Sequence, residues 1–399
     1  MSADRPLAGL RVLDLSRVLA GPTCAQNLGD LGADVIKVER PGRGDDTRGW
    51  GPPFQEGEAA YFMCANRNKR SITLDLQSKE GRTVLATLIK ASDVVVENFK
   101  LGTLPRWGFD EAWFEANAPR TVWCSITGYG TKGPKAHLPG YDFLAQAESG
   151  LMSICGPVDG EPTKYGVSIV DFCTGQFATI GVLAALQARE KTGRGQRVDA
   201  NLYSTGLSML INVGASHLMT GRPARRLGNG HPNAVPYREY TCADGRVALP
   251  IGNDAQFARL ADVAGHPEWA EDAKFSTMAA RVENREAVDA ALGAVFPTRT
   301  VAQWLEALQA VGVPVSPIAT VEAALADPHT EALGMVVDLD HPKAGPIRAI
   351  NVPYALSGTP AGIDKAPPAL GADTEDVLAR VAGLDAAAIA ALREKGVLG

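Results

Sequence analysis

Arg11-Val-Leu-Asp-Leu-Ser16 and Asp34-Val-Ile-Lys-Val-Glu39 are the two stretches that decide the fold. Each is a short run rich in aliphatic and β-branched residues, which is typical of a buried strand. Residues 24–31 lie between them with an apolar pattern that favours a helix. A strand, a helix and a second strand in this order predict a βαβ unit with two parallel strands.

The alternation of strands and helices continues along the first half of the chain. Further strands are expected at residues 71–76, 93–97 and 121–126, with a helix at residues 80–91. Repeated βαβ units build a mainly parallel sheet with helices on both faces, so the predicted fold class is α/β and Rossmann-like. A smaller α/β block is predicted later, with strands at residues 246–251 and 313–318 and helices at 255–264, 285–295 and 301–311.

The bulk properties exclude several classes of protein. The chain has 399 residues, 45% apolar and 21% charged, which is typical of a globular protein with a large core. A net charge of −6 without a basic block argues against nucleic acid or an anionic membrane as the main partner. The first residues contain no apolar signal region, and 18 consecutive apolar residues occur nowhere, so we expect a cytoplasmic protein that does not span a membrane. The six scattered cysteines are expected to be reduced thiols.

Asp171 is the strongest candidate for a catalytic side chain. It follows residues 167–170, a β-branched run expected to be a strand, and precedes residues 172–189, which favour a buried helix. A helix N-terminus favours an anion, so a carboxylate there is expected to stay ionised and can act as a nucleophile. The alternative is that Asp171 only caps the helix, because aspartate is a preferred N-cap residue. This segment alone leaves both interpretations open.

Other familiar catalytic and cofactor motifs are missing from the sequence. It contains no Gly-x-Ser-x-Gly, His-Glu-x-x-His or Walker motif, and its six histidines are dispersed, so no metal site is expected. Gly128-Tyr-Gly-Thr-Lys-Gly133 matches the dinucleotide-binding pattern, but Pro134 and Pro139 interrupt the helix that should follow. We interpret these glycines as a turn, and we expect no permanently bound cofactor.

Basic residues stand near the ends of several predicted strands: Lys37, Arg40, Lys69, Arg70, Lys100 and Arg106. Six cations around one sheet edge can hold a polyphosphate such as that of coenzyme A. The alternative is a rim of solvated cations, which is how most such side chains behave. Spacing alone favours the solvated rim.

Glycine, proline and arginine are dense between residues 221 and 232, where we place a linker between the two blocks. Within it, Gly228-Asn-Gly-His-Pro-Asn233 is a permissive stretch of backbone. Such a stretch suits either a domain linker or a lid that closes over a reaction and excludes water. The two interpretations are compatible.

Segments spread over the chain together form a specific pattern: Leu7-Ala-Gly-Leu-Arg-Val-Leu-Asp-Leu15, Ala20-Gly-Pro22, Leu28-Gly-Asp-Leu-Gly-Ala-Asp-Val-Ile-Lys-Val-Glu-Arg40, Asn68-Lys-Arg-Ser71, Val96-Glu-Asn-Phe99, Gly128-Tyr-Gly130, Gly140-Tyr-Asp142 and Val170-Asp-Phe172. With this pattern the sequence resembles the class III CoA-transferases, the formyl-CoA and carnitine CoA-transferase family, over nearly its whole length. Gly44-Asp-Asp-Thr-Arg48, Trp50-Gly-Pro-Pro-Phe54 and Val235-Pro-Tyr237 make it most similar to the members that act on succinate and related short dicarboxylic acids.

The resemblance implies a large Rossmann-like domain and a smaller α/β domain, in two chains that interlock as rings. The large coenzyme A-binding domain would comprise residues 1–195 and 330–399. A linker would follow at residues 196–225, and the small domain at residues 226–329. The protein partner would be a second copy of the chain, in an interlocked homodimer.

Site residues follow from the resemblance position by position. The nucleophile of the family falls on Asp171. Contacts to coenzyme A fall on Val18, Arg40, Leu74, Asp75, Leu76, Asn98, Phe99 and Arg106. Lid and substrate contacts fall on Gly228, Asn229, Gly230, His231 and Tyr141.

The implied reaction moves coenzyme A from an acyl-CoA, with succinyl-CoA as the expected donor, to a short dicarboxylic acid. Asp171 would form a mixed anhydride and then an aspartyl-CoA thioester. The second carboxylate of the acid needs a counter-charge, which Arg48, Arg238 or His231 could supply from loop and lid segments. One alternative is an acyl-CoA racemase of the same family, although Tyr141 stands where that branch has histidine. The other is a non-catalytic protein that binds coenzyme A.

Overall fold

The computed structural model describes residues 5–399, which divide into two compact units. The large unit holds residues 5–149, 166–209 and 328–399, and the small unit holds residues 150–165 and 210–327. The strands are β1 (Arg11–Asp14), β2 (Asp34–Glu39), β3 (Phe54–Gln55), β4 (Glu58–Ala59), β5 (Lys69–Thr73), β6 (Val94–Glu97), β7 (Val122–Thr127), β8 (Arg197–Asn201), β9 (Tyr237–Thr241), β10 (Arg246–Pro250), β11 (Ser316–Pro317), β12 (Val336–His341) and β13 (Gly345–Ile350).

The helices are α1 (Ala20–Asp30), α2 (Ala60–Met63), α3 (Lys79–Lys90), α4 (Thr103–Arg106), α5 (Glu111–Asn117), α6 (Asp142–Glu148), α7 (Leu151–Ile154), α8 (Ile169–Thr192), α9 (Leu202–Ser208), α10 (Ile211–Thr220), α11 (Asp254–Ala264), α12 (Met278–Glu283), α13 (Arg285–Val295), α14 (Val301–Ala310), α15 (Val321–Leu325), α16 (Pro328–Ala332), α17 (Thr374–Arg380) and α18 (Ala386–Glu394). Short 3₁₀ turns lie at Asp46–Gly49, Pro267–Ala270 and Phe296–Thr298.

A six-stranded parallel sheet forms the centre of the large unit, in the order β5-β2-β1-β6-β7-β8. The chain winds outward from β1 first to one side and then to the other, as in doubly wound nucleotide-binding folds. Leu13 of β1 lies between Ile36 of β2 and Val95 of β6, and all three side chains are fully buried. The order reverses between β1 and β6, where such folds form their ligand crevice. The predicted α/β, Rossmann-like class is confirmed.

Helices cover this sheet in separate layers. Leu85 of α3, Phe114 of α5 and Val377 of α17 belong to one buried cluster with the strand residues. Outside this cluster, α1 and α8 pack against each other and against the sheet. A Cβ atom at Gly175 of α8 would lie 2.7 Å from the carbonyl oxygen of Ala20, so glycine permits this close approach. The packing places the second turn of α8 beside the start of α1.

The helix α8 is long and apolar enough, by length and composition alone, to cross a membrane, although the sequence contains no 18 consecutive apolar residues. Its Val170, Ala178 and Val182 are fully buried. It packs against α1, β7 and β8, as the core helix of an α/β unit does.

Residues 196–225, expected to be a linker, instead form β8, α9 and α10. The strand β8 pairs in parallel with β7, with Val198 opposite Cys124. Arg197-Val-Asp-Ala-Asn201 has a single β-branched residue, so its apolar pattern is weak. Pairing with β7, rather than intrinsic propensity, makes this segment a strand.

The small unit is built on the antiparallel sheet β11-β10-β9. Phe257 of α11, Leu292 of α13 and Trp304 of α14 are fully buried in its core, together with Phe296. The helix α13 has the bounds that the sequence pattern predicts, whereas the strand expected at residues 313–318 shortens to Ser316–Pro317.

Candidate active site

Asp171 lies in the first turn of α8 rather than at the end of a strand. The helix begins at Ile169, so the strand predicted at residues 167–170 is wrong. Val170 is buried while Val167 is 61% exposed. A β-branched run favours a strand only where neighbouring strands bury it, and here the helical start buries only part of the run.

Asp142 caps the start of α8. The N-cap residue Ser168 makes no side-chain cap bond. Instead, the Oδ1 atom of Asp142 accepts the N–H of Val170 at 2.8 Å and the N–H of Asp171 at 3.2 Å. The interpretation of Asp171 as a mere cap is therefore wrong, because the carboxylate of Asp142 does that work and leaves the Asp171 carboxylate free for chemistry.

The carboxyl group of Asp171 has a strongly perturbed pKa. Burial, and to a smaller extent the negative charge of Asp142, raise the pKa of Asp171 from 3.8 to about 7. The expectation that this carboxylate stays fully ionised is thus corrected, since a pKa of about 7 leaves part of it protonated at neutral pH. A half-buried carboxylate with a pKa near the working pH is typical of a functional site.

Tyr61 of α2 is a neighbour of Asp171 that sequence reasoning missed. Burial raises the pKa of the Tyr61 hydroxyl, a hydrogen bond with Ser168 opposes this rise, and the charge of Asp171 adds to it. Tyr61 therefore keeps its proton at neutral pH and can donate a hydrogen bond. Its ring also meets that of Trp50 edge-on at 5.2 Å. No local pattern marks Tyr61, which lies more than a hundred residues before Asp171.

A cleft of about 410 Å³ opens at the carboxyl ends of β1, β2, β5 and β6. It lies at the reversal of strand order, the position expected for a ligand in this fold class. Its walls are Leu15, Ser16, Arg17, Lys37, Val38, Glu39, Arg40, Gly44, Asp45, Leu74, Asp75, Leu76, Gln77, Phe99, Lys100, Thr103 and Trp107.

The structure brings most of the predicted coenzyme A contacts into this cleft. Arg40, Leu74, Asp75, Leu76 and Phe99 line it, whereas Val18, Asn98 and Arg106 do not. Asn98 instead binds the backbone of a residue in the cleft wall, Arg17, through both of its side-chain polar atoms. Arg106 is exposed and donates to the hydroxyl of Thr103 at 3.0 Å.

The six predicted cations do not form one row. Lys37 and Lys69 are fully buried and paired with Asp14. Arg70 pairs with Asp34 at the amino end of β2, away from the cleft. Of the six, only Arg40 and Lys100 line the cleft as exposed cations. Arg17, which the sequence did not single out, also lines the cleft, and its guanidinium group pairs with Asp46 at 2.8 Å.

Two of the three expected counter-charges are already engaged. Arg48 donates to both carboxylate oxygens of Glu39, at 2.7 and 2.8 Å. In the small unit, Arg238 pairs with Asp289 at 3.1 Å. For these two arginines the expectation of a free counter-charge is wrong, because Glu39 and Asp289 neutralise them.

The predicted lid lies in the small unit as a turn. Gly228 has φ +58, which favours glycine, and the N–H of Gly230 donates to the carbonyl of Leu227. Arg285 holds the carbonyl oxygen of His231 at 2.8 Å. The Nδ1 atom of His231 accepts the N–H of Asn233, so the neutral ring carries its proton on Nε2. Within residues 5–399, no carboxylate forms an ion pair with this ring.

Comparisons with known proteins agree with the geometry. The profile of CoA-transferase family III matches residues 7–374. The succinyl-CoA:glutarate CoA-transferase of Mus musculus is 40% identical over 99% of this chain and 90% of its own length. The succinate–glutarate CoA-transferase of Agrobacterium fabrum is 42% identical over 94% of this chain and 96% of its own length. A CAIB/BAIF family protein from Brucella suis has a crystal structure that is 41% identical, with a TM-score of 0.84 over 95% of this chain and 100% of that chain.

Proposed function

Because the chain belongs to CoA-transferase family III, we propose that it moves coenzyme A from succinyl-CoA to a short dicarboxylic acid such as glutarate. One observation carries this proposal. The carboxylate of Asp171 does not cap α8, is half-buried, has a raised pKa and belongs to the same unit as the cleft. The test is to incubate the protein with succinyl-CoA and glutarate and to follow glutaryl-CoA and succinate by mass spectrometry. We expect equimolar products, and hydrolysis of succinyl-CoA without glutaryl-CoA would contradict the proposal.

In the proposed reaction, a carboxylate oxygen of Asp171 attacks the succinyl carbonyl carbon and the C–S bond breaks. The products are an aspartyl-succinyl anhydride and the thiolate of coenzyme A. The thiolate then attacks the aspartyl carbonyl carbon, which releases succinate and leaves an aspartyl-CoA thioester. Glutarate attacks that thioester, and the released thiolate attacks the glutaryl carbonyl carbon to give glutaryl-CoA and free Asp171. Tyr61 is the proposed hydrogen-bond donor to the oxyanions.

The arginine at the cleft wall gives a prediction on binding. Arg40 lines the cleft, and among residues 5–399 no carboxylate pairs with it. Arg40→Ala should raise the KM for succinyl-CoA by about tenfold, the effect of one lost charge-assisted contact. Arg106→Ala should change it less, since Arg106 does not line the cleft. Arg43→Ala, at an exposed arginine outside the cleft wall, is the control. Equal KM values for all three variants would show that Arg40 is a solvated cation with no role in binding.

The pKa of Asp171 gives a prediction on pH. The attacking group is the ionised carboxylate, whose fraction rises with pH through about 7, so kcat/KM should fall about tenfold per pH unit below that value. Asp142→Asn removes the neighbouring negative charge but keeps the Oδ1 acceptor for the start of α8. In this variant the pH below which kcat/KM falls, the break in the profile, should be lower. Profiles of kcat/KM against pH check both points, and an unmoved break would contradict the role of Asp142.

We further propose that the protein is an interlocked homodimer. In the small unit, α10 buries none of its residues, and its Ile211, Leu218 and Met219 are 75%, 86% and 84% exposed. In the large unit, Phe177 and Ile180 of α8 are at least half exposed. Apolar surface of this extent marks a protein interface, and a second copy of the chain is the proposed occupant.

Sedimentation in dilute solution tests the homodimer. We expect a single species of twice 42.0 kDa, with no monomer on dilution, because interlocked chains cannot part without substantial unfolding. Leu218→Asp should disturb assembly, whereas Arg222→Asp, at an exposed polar position nearby, should not. An active, folded monomer would rule out the interlocked arrangement.

A further inference from the structure

Residues 16–18 form a short loop between β1 and α1 at the wall of the cleft. Ser16 and Arg17 line the cleft directly. Val18, the next residue, has a φ of +70. A β-branched residue in this left-handed region is a genuine outlier and is strained. Such strain persists only when the surroundings hold the backbone in place.

Each backbone N–H of residues 16–18 donates a hydrogen bond to a side chain from outside the loop. Asp14 accepts the N–H of Ser16 at 3.0 Å. Asn98 accepts the N–H of Arg17 at 2.9 Å and donates to its carbonyl oxygen at 2.7 Å. Both carboxylate oxygens of Asp45 lie 3.3 Å from the N–H of Val18. The loop is thus fixed by side chains and not by a strand or helix ladder.

Lys37, which itself lines the cleft, links these contacts. Its ammonium group is fully buried, donates to the carbonyl oxygen of Ser16 at 2.9 Å and pairs with Asp45 at 3.0 Å. Burial alone would lower the pKa of Lys37, but Asp14 and Asp45 outweigh it and raise the pKa. Lys37 therefore stays charged and keeps Asp45 in position to bind the strained residue.

We propose that Lys37, Asp45 and Asn98 are positioning residues for coenzyme A binding, because they hold the loop of residues 16–18 in the strained shape that presents Ser16 and Arg17 to the cleft. This inference rests on the proposed function only for the identity of the ligand. None of the three is called a catalytic residue: the proposed role of each is to hold the backbone of the loop, and Lys37 and Asp45 do so from the cleft wall. The sequence presented Lys37 only as one of six cations near strand ends, and Asp45 only within the stretch of residues 44–48.

The test compares two nearly isosteric changes at buried carboxylates of the large unit. Asp45→Asn weakens the hold on Val18 and breaks the ion pair with Lys37. Asp30→Asn is the matched control, because Asp30 is equally buried and pairs with Arg67 at 2.7 Å, but it does not line the cleft. The measurements are the dissociation constant of free coenzyme A by calorimetry, the KM and kcat with succinyl-CoA, and the melting temperature.

We expect Asp45→Asn to raise both the dissociation constant of coenzyme A and the KM about tenfold, as a displaced charge-assisted contact does. Asp30→Asn should lower the melting temperature and leave both constants within about twofold. If the two variants lost stability alike and bound coenzyme A alike, Asp45 would be structural only and the inference would be overturned.

Two further variants keep the inference testable. If Asp45→Asn did not fold, Asn98→Ala would remove the hold on Arg17 without touching a buried charge, and unchanged coenzyme A binding in that variant would overturn the inference. Val18→Gly in the Asp45→Asn background should restore part of the lost affinity, because glycine adopts φ +70 without strain. The calorimetric measurement uses coenzyme A itself, so it decides this inference even if the wild-type protein failed to transfer from succinyl-CoA.

Discussion

The Asp171→Asn variant is expected to lose CoA transfer by at least about 1,000-fold while keeping its fold, because an amide is a poor nucleophile. The change is nearly isosteric, and the cap of α8 comes from Asp142, so the start of the helix should keep its geometry. The rate of glutaryl-CoA formation from succinyl-CoA and glutarate measures the loss. Asp159→Asn, at an exposed aspartate of the small unit, is the control and should keep the wild-type rate.

The same variant should be at least as stable as the wild-type protein in mild alkali. The folded-state pKa of Asp171 is raised to about 7, so its stabilising contribution is complete below pH 3.8 and is lost as the pH rises through 7. Asparagine has no such loss. The melting temperature of the variant minus that of the wild type should therefore increase from acidic to alkaline pH. A variant that melts lower at every pH would show that the loss of activity reflects damage to the fold.

Trapping the intermediate separates the transferase from its alternatives. Hydroxylamine added with succinyl-CoA should convert Asp171 of the wild-type protein to a hydroxamate, which mass spectrometry of the peptide detects, and should leave the variant unmodified. A racemase of the same family would instead exchange the α-proton of its acyl-CoA with deuterated water. A non-catalytic binding protein would show neither reaction. Transfer that survived in the variant would place the nucleophile elsewhere.

The elements of the central sheet could be predicted from the sequence because their signals are local. Asp34-Val-Ile-Lys-Val-Glu39 is a strand with the predicted bounds, since a run of aliphatic residues needs burial on both faces and a parallel sheet supplies it. Residues that follow such strands gather at one edge, and Arg40 lines the cleft there, whereas the expected contact at Leu74 came from the family resemblance. β8 was missed because its stability comes from its neighbour β7.

The electrostatics of the site could not be predicted, because the spacing of charged residues in the sequence does not show which of them pair in the fold. Asp142 caps α8 across 28 residues of sequence, and its charge adds to the rise that burial causes in the pKa of Asp171. Lys37, which spacing placed on a solvated rim, is buried against Asp45. Arg48, expected to face the substrate, is neutralised by Glu39. The sequence does not reveal which group a charged side chain pairs with, and that partner decides the role of the side chain.

Glutarate and succinate are expected to accept coenzyme A at least about 100-fold better than butyrate, measured as kcat/KM for the acceptor. A dicarboxylate keeps one free carboxylate after its other end becomes a thioester, and that charge needs a donor or cation where water is excluded. A site built for such a charge leaves its own polar group unpaired when butyrate binds, which is why the discrimination is large.

His231 is the remaining candidate for that donor. Arg48 and Arg238 are engaged by Glu39 and Asp289, whereas the His231 ring has no acidic partner within residues 5–399 and its Nε2 carries the proton. The family resemblance assigns His231 to the lid and substrate contacts, and we propose on that ground that His231→Gln reduces the preference for glutarate over butyrate by about tenfold. His266→Gln, at an exposed histidine of the same unit that pairs with Glu268, is the control and should leave the preference unchanged. A preference that survives His231→Gln would assign the counter-charge to another residue. If butyrate served the wild-type protein as well as glutarate, the pocket would have no counter-charge and the dicarboxylate proposal would fail. The chain would still belong to CoA-transferase family III.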